Sequence, residues 1–140
     1  MYISIDQSTS STTIFLYNKN LKLLSKVTKS HKQIQKVSGY VEHDADEIYK
    51  NILFLVKKIS KKIKYNRNLF LSITNQRETF VIFDAISGKP LHNAIVWQCR
   101  RGQNVCDKIN KSKSNRNLIK KNTGLALDTY FPAPKLIQLL

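Results

Sequence analysis

The sequence has few cysteines, and their spacing excludes a disulfide framework. Cys99 and Cys106 are the only two. Seven residues apart on one helix, they would share a face but lie about 10 Å from each other, too far for a disulfide bond. No second pair of Cys or His residues completes a zinc-binding set. We therefore predict two reduced thiols with a structural role.

Long apolar runs are also missing from the sequence. None approaches the ~20 residues that a membrane-spanning helix needs. The N-terminal segment has no basic region and reaches Asp6 too early for a secretory signal. These absences predict a cytoplasmic protein without membrane insertion. The 140 residues, of which 41% are hydrophobic and 9% aromatic, fit one globular domain rather than a disordered chain.

Acidic residues are scarce: 9 Asp and Glu stand against 24 Lys and Arg, for a formal net charge of +15. A chain this basic can bind nucleic acid or another anionic surface. However, most of its lysines lie in predicted loops and on outer helix faces, and no helix-turn-helix, zinc-finger or aromatic RNA-binding pattern accompanies them. We predict a solvated basic surface without a specific nucleic-acid partner. A non-catalytic basic binding module stays open as an alternative.

The N-terminal segment predicts strands that are separated by a loop rich in hydroxyl groups. Strands are predicted over residues 3–6, 14–17 and 21–28, and the first ends at Asp6. In the loop that follows, backbone N–H groups and short hydroxyls can hold phosphate oxygens, while Asp6 can hold a metal ion through water. The loop is not a Walker loop, because it lacks the Gly-Lys-Ser/Thr sequence. Loops of this composition more often only cap strands.

The clearest helix prediction begins at Asp44, which suits the N-cap position, with Glu47 as its third-position partner. Apolar residues keep helical spacing from residue 48 to residue 63, and basic residues near the end suit the helix dipole. We expect a packing helix with one solvated face. His43, beside the cap, is expected to take part in capping rather than to bind a metal.

A polar stretch over residues 72–79 lies between two apolar segments, residues 69–71 and 80–83, which both predict strands. Within it, Arg77 and Glu78 are adjacent. A guanidinium beside a carboxylate presents donors and acceptors together, which suits a small polyol whose hydroxyls both donate and accept. A solvated hairpin tip with a surface ion pair explains the same residues, and spacing alone favours that simpler interpretation.

The C-terminal segment predicts a short strand over residues 94–97 and a helix that begins near Gln103. Thr123-Gly124-Leu125 predicts the end of a helix. A last helix is predicted to begin at Pro134, the final residue of the sequence Pro132-Ala133-Pro134.

Several short blocks of sequence follow one another along nearly the whole chain. They are Ile5-Asp6-Gln7 with Thr9-Ser10-Ser11, Gly39-Tyr40-Val41-Glu42-His43-Asp44, Ile73-Thr74-Asn75-Gln76-Arg77-Glu78-Thr79, Gly88-Lys89-Pro90, Asn93-Ala94-Ile95-Val96-Trp97-Gln98-Cys99-Arg100-Arg101, Thr123-Gly124-Leu125, and Asp128 with Tyr130-Phe131. In this order they resemble the N-terminal half of the glycerol kinases in the FGGY carbohydrate-kinase family. The third and fifth blocks favour glycerol over the family's sugars. A kinase for another polyol or sugar stays open as an alternative.

The resemblance implies an α/β fold: a ribonuclease-H-like (actin-like ATPase) domain whose mixed sheet has flanking helices. Residues 1–140 would form an incomplete N-terminal domain, and the second domain would be absent. The implied reaction transfers a phosphoryl group from ATP, with Mg²⁺, to glycerol. Such a reaction depends on positioning and charge neutralisation rather than on covalent catalysis.

The resemblance also implies a set of substrate-binding residues. Arg77 and Glu78 would bind glycerol hydroxyls, Tyr130 would add another hydrogen bond, and Trp97 would pack against the carbon chain. No catalytic residue is assigned, because the base, an Asp, would lie in the missing half. We therefore expect these 140 residues alone to have no kinase activity, and a complementing C-terminal half to be their partner.

By the same resemblance, the hydroxyl-rich loop would hold the nucleotide. Thr9, Ser10 and Ser11 would line the ATP phosphates, and Asp6 would lie near Mg²⁺, through water.

Four sites, which together comprise six residues, depart from the family pattern. Ser8 replaces a Gly and would hinder close approach of the backbone to phosphate. Thr13 replaces an Arg and would remove a positive charge. Thr129 replaces a Pro, and Pro132-Ala133-Pro134 replaces a Ser-Gly-Thr-like step, which would shift Tyr130.

Overall fold

A computed structural model describes residues 1–63 and 68–140. In chain order its elements are β1 (Tyr2–Gln7), β2 (Ser11–Tyr17), β3 (Leu23–Ser30), β4 (Glu42–His43), α1 (Ala45–Ser60), β5 (Phe70–Asn75), β6 (Ala94–Ile95), α2 (Gln103–Asn110), α3 (Lys113–Thr123) and α4 (Pro132–Leu139). The chain forms two compact units. The first comprises Met1–Gln33 and His43–Arg77, and the second comprises Ile34–Glu42 and Glu78–Leu140.

The first unit is built on a four-stranded mixed sheet in the order β3-β2-β1-β5. β1 pairs antiparallel with β2 and parallel with β5, so Asp6 lies opposite Thr13 on one side and Thr74 on the other. The three strands predicted from the N-terminal sequence are confirmed. The alternation of apolar and polar residues that predicted β1 places Ile3 and Ile5 on the face that packs into the core.

Helix α1 packs its apolar face into the core of the first unit. The core contains buried residues from three strands and the helix: Ile3, Ile5, Ile14, Leu16, Val27, Leu55 and Ile59. The predicted N-cap is confirmed, because the Asp44 carboxylate accepts from the amides of Asp46 and Glu47. The capping role expected of His43 is wrong. Its ring is fully buried, and its Nδ1 lies 3.3 Å from the Gln76 side-chain amide.

The strand predictions around the polar stretch are partly wrong. β5 extends to Asn75, because in-register pairing with β1 continues through Gln7 and carries half of the polar stretch into the sheet. Residues 80–83 form no strand and make only isolated bridges, Phe80 to Ile95 and Phe83 to Pro90. A strand forms only where several consecutive residues pair with a neighbouring strand, and Phe80 and Phe83 each pair at a single position.

The second unit contains three helices, β6 and the Glu42 end of β4. Its core contains Val41, Ile95, Val96 and Cys99. Cys99 and Cys106 are both free and buried, which agrees with the predicted structural thiols. α2 begins at the predicted residue.

The last helix, α4, begins at Pro132, two residues before the predicted start. The reason is that proline in the first turn has a suitable φ and needs no N–H partner there.

No helix in the described part of the chain combines the length and the apolar character that crossing a bilayer requires.

Candidate functional site

Trp97 and Tyr130 lie together in the second unit, at the edge of an open cavity. Trp97 follows β6, Tyr130 precedes α4, and their ring centroids are 5.9 Å apart at an interplanar angle of 65°. The cavity has a volume of about 440 Å³, and Arg100 and Asp128 are among its lining residues. Small-molecule sites typically span roughly 300–1,000 Å³. Aromatic rings beside charged groups suit a small ligand with both carbon and hydroxyl surfaces.

Main-chain hydrogen bonds hold these two residues in place. The Trp97 amide donates to the Thr79 hydroxyl at 3.1 Å, which ties the strand end to the residue after Glu78. The Tyr130 amide donates to the Asp128 carboxylate at 2.6 Å, in a turn just before α4. The expectation that Pro132-Ala133-Pro134 shifts Tyr130 stays a prediction.

Glu78 has a strained backbone conformation. Its φ is +62°, in the left-handed region that non-glycine residues seldom adopt. Such a residue costs about 1–3 kcal/mol and is retained only where its surroundings hold it. The side chain is half-buried. Strain of this kind clusters at functional sites, which adds a physical reason to consider Glu78 that no sequence pattern indicated.

The four predicted substrate residues are divided between the two units. Glu78, Trp97 and Tyr130 belong to the second unit, whereas Arg77 is the last residue of the first unit and is exposed. Three of the four therefore belong to one compact unit.

Sequence reasoning missed Lys135. Its side chain is fully buried, and its Nζ lies 2.9 Å from the Tyr130 carbonyl, 3.4 Å from those of Val96 and Trp97, and 3.5 Å from that of Glu78. Burial lowers the pKa of this ammonium. The sequence did offer one indication, because Lys135 is the single charged residue of α4 and lies near the start of that helix.

An ion pair in the second unit fixes the segment that carries Trp97. The guanidinium of Arg101 is buried, donates to the Glu42 carboxylate and lies over the Tyr40 ring. Burial alone would raise the pKa of Glu42, but hydrogen bonds from Asn93 and Arg101 lower it overall. The segment after β6 is therefore anchored at both of its ends.

The predicted phosphate loop connects β1 and β2 in the first unit. The Ser8 amide donates to the Ser11 carbonyl at 2.8 Å, and the Ser8 hydroxyl donates to the Asp6 carboxylate at 2.8 Å. Ser10 is exposed, and Thr9 and Ser11 are half-buried. Asp6 is also half-buried, so its carboxylate can still reach a hydrated ion. The donor set fits phosphate and hydrated Mg²⁺, with Ser8 competing for one carboxylate oxygen.

Thr13 lies away from solvent. It is buried, and its hydroxyl is 3.0 Å from the Thr28 hydroxyl across the β2–β3 pair. Its polar group is therefore satisfied inside the sheet, where a threonine fits and a charged side chain would need a partner.

A buried polar cluster contacts the β1–β2 loop through His31, and no sequence pattern predicted this cluster. His31 donates from Nε2 to the Thr9 carbonyl at 2.9 Å, and its ring meets that of His43 edge-on with centroids 4.6 Å apart. Burial, with a further contribution from His31, lowers the pKa of His43 to about 4. Both rings are thus part of a dry network that ends at Gln76 and Gln7.

Comparison with known protein families identifies the class. A family model for the N-terminal domain of the FGGY family of carbohydrate kinases matches residues 1–139. The chain belongs to this family. The predicted fold class, an actin-like, ribonuclease-H-like α/β domain with a mixed sheet and flanking helices, is confirmed by the sheet and by the structural neighbours, of which this chain covers only a part.

Among individual relatives, the chain is 42% identical to glycerol kinase 1 of Thermotoga maritima over 143 residues, covering 100% of this chain and 29% of that protein. The crystal structure of Plasmodium falciparum glycerol kinase with ADP matches with a TM-score of 0.86 at 38% identity, covering 99% of this chain and 28% of the other. Gluconate kinase from Lactobacillus acidophilus matches with a TM-score of 0.88 at 22% identity, over 99% of this chain and 27% of the other, which shows the fold alone. The chain spans less than a third of the length of these relatives.

Proposed function

We propose that this chain is the glycerol-holding N-terminal part of a glycerol kinase, which transfers a phosphoryl group from ATP to glycerol. The observation that carries the proposal is the convergence of Glu78, Trp97 and Tyr130. Their carbonyl oxygens lie within 3.5 Å of one nitrogen, so any two of these oxygens are within twice that distance. Relatives near 40% identity that are named glycerol kinases support glycerol as the substrate.

Each residue has a task that its chemistry allows. The Glu78 carboxylate accepts from glycerol hydroxyls, and the Arg77 guanidinium donates to them. The Tyr130 hydroxyl adds one more hydrogen bond, and the Trp97 ring covers the carbon chain. A hydroxyl held in this way is oriented for attack, and orientation is a major contribution to phosphoryl transfer.

The loop between β1 and β2 is assigned to the nucleotide. Thr9, Ser10 and Ser11 would hold ATP phosphates through hydroxyl and amide groups, and Asp6 would hold Mg²⁺ through water. When bound, ATP would supply the phosphoryl group, and Mg²⁺ would neutralise part of the negative charge of its phosphates. Ser8 reduces the capacity of Asp6 for a hydrated ion, because its hydroxyl already donates to that carboxylate.

The remaining machinery is assigned to a complementing C-terminal polypeptide. The catalytic base and the adenine-binding groups would lie in the part of the relatives that this chain does not span. β5 supports such a partner, because it is an edge strand whose Phe70, Leu71 and Ile73 side chains are exposed. Exposed apolar edge strands readily accept another chain. We expect the 140 residues alone to bind glycerol weakly and to show no kinase activity.

A chimera tests the proposal. This chain replaces the matching N-terminal segment of Thermotoga maritima glycerol kinase 1, and ATP-dependent phosphorylation of glycerol, xylulose and gluconate is measured. We expect glycerol to be the preferred substrate. A folded chimera that binds ATP but prefers a sugar would favour the alternative FGGY kinase, and one that phosphorylates none of the three would count against the proposal.

Glu78→Gln in that chimera isolates the substrate site. We expect glycerol affinity to fall roughly tenfold, because a charged acceptor becomes a neutral amide. Asp84→Asn, an exchange of the same kind in a turn of the second unit, serves as the matched control and should leave affinity unchanged. Unaltered glycerol affinity in Glu78→Gln would refute the assigned role.

A further inference from the structure

Lys135 is the most unusual buried group of the second unit. Its side chain is 0% exposed, and an ammonium in such a place normally needs a carboxylate partner. Among residues 1–63 and 68–140, the structure gives Nζ no carboxylate partner. All four of its acceptors are main-chain carbonyls. The hydrogen bonds of this ammonium are therefore all to backbone carbonyls, while the Glu78 and Asp128 carboxylates attract it over a longer distance.

These carbonyls come from segments that are far apart in the sequence. Tyr130 lies five residues before the lysine, Val96 and Trp97 lie 39 and 38 residues before it, and Glu78 lies 57 residues before it. An ammonium has three N–H donors. The short contact to Tyr130 takes one donor, and the longer contacts share the other two. One cation thus joins the three backbone segments that carry the candidate substrate residues.

One of these contacts meets the strained residue. Glu78 has a φ of +62°, and its carbonyl is 3.5 Å from Nζ. The ammonium charge attracts the Glu78 carbonyl oxygen and so opposes rotation of the peptide bond that follows Glu78. Strained residues persist only where neighbouring groups hold them. Lys135 is such a neighbour.

The position of Lys135 is itself fixed by a close helix contact. A Cβ atom on Gly102 would lie 2.7 Å from the Pro134 carbonyl carbon and 2.9 Å from the Lys135 nitrogen. No side chain fits at residue 102, so the start of α4 lies against the start of α2. The backbone of Lys135 is therefore held in place by the packing of α4 against α2.

We propose that Lys135 is a positioning residue for the polyol site: it gathers the main-chain carbonyls of Glu78, Trp97 and Tyr130 and thereby sets the distances among their side chains. The inference rests on the proposed function and deepens it. Lys135 does not touch the substrate. It acts through the backbone of three residues that do.

The test uses Lys135→Met in the 140-residue protein, with glycerol as the probe. Trp97 is the only tryptophan, so its indole N–H gives a single NMR signal that reports on this site with and without glycerol. We expect the signal of the glycerol-free protein to move, and the glycerol affinity to fall at least tenfold. An unmoved signal, or an affinity within twofold of wild type, would overturn the inference.

Two controls separate positioning from general stability. Leu55→Ala removes core contacts of the first unit, where none of the four carbonyls around Lys135 lies, and should leave the glycerol affinity unchanged at equal loss of stability. Lys108→Met makes the same exchange on the exposed face of α2 and should have no effect. Equal losses of affinity in Leu55→Ala and Lys135→Met would assign Lys135 a merely structural role.

A double-mutant cycle gives the decisive readout. If Lys135 acts through Glu78, Glu78→Gln should weaken binding much less in the Lys135→Met background than in wild type. Independent effects, which multiply, would contradict the inference. If Lys135→Met does not fold, Lys135→Gln keeps an N–H donor and is subjected to the same measurements. A chimera that fails to bind glycerol would refute the proposed function, whereas the indole signal of the glycerol-free 140-residue protein would still test the inference about Lys135.

Discussion

β1 and β5 lie side by side in one sheet, parallel and in register, with similar sequences and different surroundings. Ile3 and Ile5 of β1 are 9% and 2% exposed, whereas their direct partners Leu71 and Ile73 of β5 are 59% and 64% exposed. Paired residues of neighbouring strands point to the same face. On that face, α1 covers β1 with Leu55 and Ile59, whereas no element among residues 1–63 and 68–140 covers β5 in the same way.

At their C-terminal ends the two strands differ much less in solvent exposure than they do in their middles. Gln7 and Gln76 are both 7% exposed, and the Gln76 amide donates to the Gln7 side-chain oxygen at 3.2 Å. The polar ends are thus locked in a dry network while the apolar middle of β5 faces solvent. Burial in this sheet depends on which element lies above a strand, and not on how apolar the strand is.

The largest effect should come from truncating the paired isoleucines. Ile5→Ala should lower the free energy of unfolding by about 2–5 kcal/mol, because it leaves a cavity in the core. Ile73→Ala, the same change one strand away, should cost less than about 0.5 kcal/mol. Urea unfolding of both variants measures the difference. Equal losses would mean that β5 is covered in solution.

A second effect comes from pH and the network at the strand ends. Below pH 6.5 the unfolded chain protonates His43, while the folded chain excludes that proton until about pH 4. The free energy of unfolding should therefore fall as the pH drops from 6.5 to 4, by roughly 3 kcal/mol in total. Urea midpoints across this range measure the slope. The slope should flatten in His43→Gln, and an unchanged slope there would assign the effect to other groups.

A smaller loss is expected from the link between the strand ends. Gln76→Leu removes the donor to Gln7 and His43 and leaves buried acceptors without it, which should cost about 1–3 kcal/mol. Asn75→Ala, at the exposed neighbouring position, should change stability by less than about 0.5 kcal/mol. Thermal unfolding of the pair checks the prediction. A Gln76→Leu variant as stable as wild type would show that the network contributes little.

The smallest effect on stability should come from adding charge to the exposed strand. Ile73→Lys should leave the free energy of unfolding within about 0.5 kcal/mol of wild type and reduce self-association, because lysine on an edge strand discourages pairing with another chain. Sedimentation velocity over a range of protein concentrations measures the association. Equal self-association of wild type and Ile73→Lys would show that the β5 edge does not mediate association.

Much of the fold was predictable from local patterns. Alternating Ile3 and Ile5 predicted β1, and Asp44 predicted the start of α1, because both signals act over a few neighbouring residues. The polar stretch after Leu71 was harder, since in-register pairing with β1 carried residues up to Asn75 into the sheet. Phe80 looked like part of a strand and is not one, because extended structure depends on a partner that is distant in sequence.

In the candidate site too, residues within local motifs were predicted and residues defined by long-range contacts were not. Arg77, Glu78, Trp97 and Tyr130 were selected by resemblance to family motifs, which are local. Lys135 and the His31–His43 pair were missed, because their acceptors and neighbours are far away in the sequence.

The sequence by itself determined the family, the order of most elements and the residue types offered to a polyol and a phosphate, since these depend on short segments. Only the tertiary structure decided that β1 is covered while β5 is open. It alone decided that Glu78 has a strained backbone and that one lysine faces the carbonyls of three distant segments. Burial and convergence arise from long-range packing, and no local pattern encodes a neighbour 57 residues away.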